Sequence, residues 1–76
     1  MATQPRSPEG TDESFSIEFE QEDDGRWIAE ISALPGVMVY GESKPDAEVK
    51  VIALALRVIA ERTEQVRKPP KSIRFL

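Results

Sequence analysis

The sequence predicts a small α+β domain in which one helix packs on a short, mainly antiparallel sheet, in the order β-β-β-α-β. Three observations carry that reading. Two stretches, "SFSIEFEQ" over 14–21 and "RWIAEI" over 26–31, alternate apolar and polar residues, with the turn residues "EDDG" between them. A run that opens at Ser43 then places apolar residues at helical spacing to about residue 64. "KPP" at 68–70 forbids its continuation, and "SIRF" at 72–75 alternates once more.

The first strand points Phe15, Ile17 and Phe19 to one side and Ser14, Ser16, Glu18 and Glu20 to the other. A hairpin at Asp24-Gly25 follows, where Gly25 takes positive φ without a steric penalty. The second strand sets Trp27, Ala29 and Ile31 against Arg26, Ile28 and Glu30. "LPGV" suits a type II turn, with Pro35 presetting φ and Gly36 supplying the positive φ of the next position. "VMVY", 37–40, forms a third strand that Gly41 ends. Ser43 caps the helix and Asp46 stands at its positive end as a weaker capping box. Pro45 is tolerated in the first turn, where its missing N–H has no helical partner. Helix 44–64 joins strand three to strand four, which permits a right-handed crossover. The expected sheet order is 3-2-1-4, with strand four parallel to strand one at the edge. The short turns also fix register, since a slip of one residue would send Trp27 to the solvent face.

With 76 residues the chain forms one domain, expected over 14–76, behind a polar, disordered leader over 1–13. A chain this short buries roughly 60% of its unfolded surface, so its core is marginal unless a second chain adds to it. There is no cysteine and no histidine, which removes disulfides, thiolate metal sites and the commonest general base. No stretch approaches the roughly 20 apolar residues of a membrane span, and the first residues lack a signal-peptide core. The expected compartment is the cytoplasm.

Charge is unevenly spread. Residues 1–13 carry one Arg against three acids, and residues 14–66 five basic against eleven acidic side chains. Residues 67–76 carry Arg67, Lys68, Lys71 and Arg74 and no acid. An acidic body argues against free nucleic acid and for a basic protein as partner. Solubility alone is the plainer explanation of such a surface. The expected docking residues are Glu18, Glu20 and Glu30 on the outer strand face, with Asp23 and Asp24 at the rim.

The helix is apolar over too wide an arc. Ala47, Val51, Leu54, Ala55 and Val58 suffice to cover a small sheet, yet Val49, Ile52, Ala53, Leu56, Ile59 and Ala60 extend the arc to roughly 260°, against a little over 100° in an ordinary surface helix. Val49, Ile52, Ala53, Leu56 and Ala60 are therefore expected at a homo-oligomer interface, dimeric or tetrameric.

Catalysis has little to work with. Glu22, Asp23 and Asp24 lack the spacing of a calcium loop and read as a turn. The serines have no histidine to activate them, and Gly25, Gly36 and Gly41 are too far apart to cradle a phosphate. Trp27 and Tyr40 read as packing residues, and "RKPPKSIR" as charge that keeps an edge strand apart from other chains. No catalytic residue, metal or cofactor is expected.

Asp24-Gly25, Trp27, Ala29, Leu34-Pro35-Gly36, Gly41, Ser43 and Asp46-Ala47, in this order and spacing, resemble the N-terminal domain of HicB-type antitoxins and their short stand-alone relatives. The resemblance covers residues 15 to about 75. It implies a partial RNase H-like fold without nuclease activity. It also implies a partner, a small basic HicA-type mRNA interferase, neutralised by occlusion of its active site. The chain stops after strand four, without the DNA-binding domain usual in longer members, so direct operator binding is not expected. The alternative is a solitary homo-oligomeric module of the same fold that binds a small ligand or another protein.

Overall fold

The computed structural model describes residues 11–76. They form two small sheets of short strands and one long helix, an α+β arrangement. The elements are β1 (Asp12–Phe15), β2 (Glu18–Gln21), β3 (Trp27–Glu30), β4 (Met38–Gly41), α1 (Lys44–Val66) and β5 (Ser72–Phe75). Strands β2, β3 and β4 form an antiparallel sheet in that order, and β1 pairs in parallel with β5.

The expected first strand is thus two strands. The break falls at Ser16–Ile17, where the Ile17 N–H donates to the Leu76 carbonyl at 3.0 Å and the Leu76 N–H to that of Phe15 at 2.8 Å. Its first half is held by β5 and its second half by β3. Alternation dictates which face a side chain takes, not which neighbour its backbone takes, so the break is silent in the sequence. The single sheet expected in the order 3-2-1-4 is therefore two sheets, β2-β3-β4 and β1-β5, and within them the last strand runs parallel to the first as expected. β1 begins at Asp12, two residues inside the segment expected as leader. The Ser72 hydroxyl holds the Asp12 carboxylate at 2.8 Å. The rest of that expected leader, 1–10, lies outside the described residues.

Turn chemistry matches the residues that impose it. The Gly25 N–H donates to the Glu22 carbonyl, the Glu22 N–H to that of Arg26, and Gly25 has φ +92°. This is a three-residue hairpin loop closed by a glycine in the left-handed region. Between β3 and β4 two turns follow in series. The Leu34 N–H reaches the Ile31 carbonyl and the Val37 N–H that of Leu34, both at 3.0 Å, with Gly36 at φ +84°. Val37, expected in the strand, instead closes this loop. Its side chain is buried with those of Ile31 and Leu34.

The Asp46 N–H donates to the Ser43 hydroxyl at 3.2 Å, so Ser43 caps α1 as expected. The Asp46 carboxylate accepts from the Glu42 N–H at 2.9 Å and meets the Lys50 ammonium at 3.0 Å. The helix lies over β3 and β4. One line of it, Ala47, Val51, Ala55 and Ile59, is buried against Phe15, Ala29, Ile31, Leu34 and Val37. Ile59, which the sequence placed in the surplus apolar arc, belongs to this core line. α1 runs two residues further than expected and ends at Arg67, a left-handed residue at φ 60°. Lys44 opens the helix at the end where its dipole disfavours a cation, and its ammonium lies instead 4.9 Å from the Phe19 ring centre and 5.8 Å from that of Trp27.

Candidate docking face

The strand face turned away from α1 carries the expected acidic residues. Cross-strand register sets Glu18 opposite Glu30 and Glu30 opposite Met38, and in the next row Glu20 opposite Ile28 and Ile28 opposite Tyr40. Glu18, Glu20 and Glu30 are all exposed. Two carboxylates directly opposite each other, with Cβ atoms about 4.5–5.5 Å apart, repel and weaken the pair they sit on. Beside them Met38 is 49% and Tyr40 41% exposed, which gives the face an apolar side.

Of the expected rim residues, Asp23 is exposed and Asp24 is already engaged. The Asp24 carboxylate accepts from the Arg26 N–H at 3.0 Å and from the Arg26 guanidinium at 2.9 Å. These bonds hold its carboxyl below the usual range, the backbone N–H contributing most. The Arg26 guanidinium also lies 4.5 Å from the Tyr40 ring centre. Tyr40 is therefore a residue of the outer strand face whose ring packs under a cation. Trp27 is half-buried and packs against the core. Glu20, Gln21, Glu22, Asp23 and Asp24 line a shallow open depression at the end of the β2–β3 hairpin. Among the described residues no three His, Cys, Asp or Glu side chains come together in a way that could hold a metal ion.

The expected oligomer residues divide. Ile52 is half-buried and packs against the core, so it is not a free surface residue. Ala53 is half-buried, whereas Val49, Leu56 and Ala60 are exposed. The structure thus separates two unpartnered surfaces, the acidic strand face and one flank of α1. Met38 and Arg26 were missed as site residues. The alternation puts them on this face, but only the three-dimensional register shows which carboxylate or ring stands next to each. No helix among the described residues is long and apolar enough to cross a membrane. Comparison with known protein families, curated proteins and solved structures found no match.

Proposed function

We propose that this chain is a protein-binding module of the antitoxin kind, which takes a small basic protein on its outer strand face. The observation that carries the reading is the Glu18–Glu30 pair, two opposed carboxylates on an exposed face beside Met38 and Tyr40. A cation placed between them would relieve their repulsion, and the apolar neighbours would then be covered by the same partner. Charge of this sign raises the encounter rate with a basic partner, while the buried apolar contact slows its departure. The motif series from Asp24 to Ala47 supports a HicA-type mRNA interferase as that partner, inhibited because the bound module excludes RNA from the toxin's active site. The module needs no catalytic group of its own for this.

The test is a low-salt pull-down of the tagged protein from its native cells, read by mass spectrometry, with a ribonuclease assay on what is captured. A small basic ribonuclease at fixed stoichiometry is expected. It should be silenced by the wild type and released by the double change Glu18→Lys/Glu20→Lys. Capture of no basic protein, or binding indifferent to both reversals, overturns the reading. The exposed flank of α1 favours the second reading, a solitary homo-oligomeric module without a toxin partner, which a pull-down that returns only this chain would support.

A further inference from the structure

We infer that the exposed flank of α1 is the surface through which two copies of this chain associate, with their helices antiparallel across a two-fold axis. The helix has 23 residues and is about 35 Å long, while each four-residue strand spans about 13 Å. Nothing after Ile59 on the helix is buried, so its last turns extend past the sheet with Val66 55% exposed. Along one side run Val49, Ala53, Leu56 and Ala60, spaced four, three and four residues apart, with Val49 69% and Leu56 46% exposed. That spacing keeps all four on one line of the helix.

The order of large and small side chains says what covers this line. In an antiparallel pair with the axis between residues 54 and 55, Val49 of one copy meets Ala60 of the other, and Ala53 meets Leu56. A single axis satisfies both pairs, and each sets a large side chain against a small one. This is the self-complementarity an isologous contact requires, in helices whose ridges fill each other's grooves. A parallel pair would instead stack each residue on its own copy, Leu56 on Leu56 and Ala53 on Ala53, and the cross-links described below distinguish the two arrangements. The helix ends agree. On the same axis Glu42 of one copy stands level with Arg67 of the other, acid beside base at both ends, while Glu48 and Glu61, which are level too, lie off this line of the helix. Residues 1–10, "MATQPRSPEG", carry one large aliphatic side chain, Met1, against the four apolar positions of this line.

The chain has no cysteine, so introduced cysteines report without background. Sedimentation velocity of the full chain at micromolar concentration is expected to show a dimer. Leu56→Asp should raise its dissociation constant roughly a hundredfold, since the axis repeats the lost contact twice. Under mild oxidation the double variant Val49→Cys/Ala60→Cys should form covalent dimers. Val49→Cys alone should not, because the two copies of position 49 lie about 16 Å apart along the antiparallel helices. If Leu56→Asp fails to fold, the cross-linking decides. A wild-type chain that stays monomeric overturns the inference, and so do cross-links formed by Val49→Cys alone or by neither variant. The inference stands apart from the docking of a basic protein. Glu18→Lys, on the opposite side of the sheet, should leave the dimer unchanged, so the two can fail separately.

Discussion

Gly41 and Ala47 meet backbone to backbone where β4 turns into α1. A methyl group added to Gly41 would stand 2.7 Å from the Ala47 Cα and 2.9 Å from its Cβ, closer than such atoms approach. Both residues are buried, and Ser43, which caps the helix, lies between them in the chain. The helix start is thus pressed onto the end of β4, which places α1 over β3 and β4. Gly41→Ala is expected to destabilise the fold by about 3 kcal/mol, the upper range for overpacking, because backbone and not a flexible side chain must yield. Ala47→Gly in the same chain should not rescue it, since the Ala47 backbone is still in the way. Urea denaturation measures both, and a loss below about 1 kcal/mol for Gly41→Ala would show that the helix start can shift.

The sequence marked Gly41 as a structural residue for a weaker reason, the end of a strand. Its real constraint is a contact six residues away that no local pattern records. The same limit explains the other departures. Phe15, Ile17 and Phe19 share an alternation that reads as one strand, but backbone pairing with β5 and β3 divides it. Ile59 falls outside the face chosen by counting, because the line of closest approach is set by Gly41 and Ala47. What was legible was everything that one residue's chemistry enforces: the positive φ of Gly25 and Gly36, the Ser43 cap, and the order of elements. The acidic residues of the outer face were legible too. Their pairing, Glu18 against Glu30, needed the register.

That pairing separates stability from binding. Glu18→Lys converts opposed like charges into an opposed ion pair and should stabilise the sheet by about 0.2–1 kcal/mol. The same change should weaken capture of a basic partner at least tenfold, with a smaller salt dependence. A gain in thermal midpoint together with a loss of partner is the expected result. Loss of both would mean that Glu18 has a structural role the register does not show.

Acid should reveal the carboxylates that the fold uses. The Asp46 carboxyl is held below its ordinary 3.8, first by the Glu42 N–H and then by the Lys50 ammonium. Asp24 is lowered in the same direction by the Arg26 N–H and guanidinium. A carboxylate with a depressed folded pKa contributes stability that is present above its unfolded value and is lost as pH falls through the folded one. The wild type should therefore lose stability below about pH 4, and Asp46→Asn/Asp24→Asn should lose less of it over the same range. Both groups are exposed, so salt should narrow the difference. Denaturation curves for the two proteins that fall in parallel from neutral pH to acid would contradict this.

Arg67 ends α1 in a conformation that suits another residue. Its φ of 60° and ψ of 29° lie in the left-handed region, and its N–H donates to the Thr63 carbonyl at 2.8 Å. The hydrogen bond closes the helix, but the Cβ makes the conformation unfavourable for an L-residue. Glycine would keep the bond and lose the strain, although it adds freedom to the unfolded chain. The net effect of Arg67→Gly should be a gain of about 0.5–1 kcal/mol. Arg67→Ala keeps the Cβ and so separates backbone strain from loss of charge, and it should bring no such gain. If the two variants are equally stable, the helix end does not hold the left-handed geometry in solution. The pair also bears on association. If Arg67 meets the acidic helix start of a second copy, both variants should weaken the dimer alike, while only Arg67→Gly stabilises the single chain.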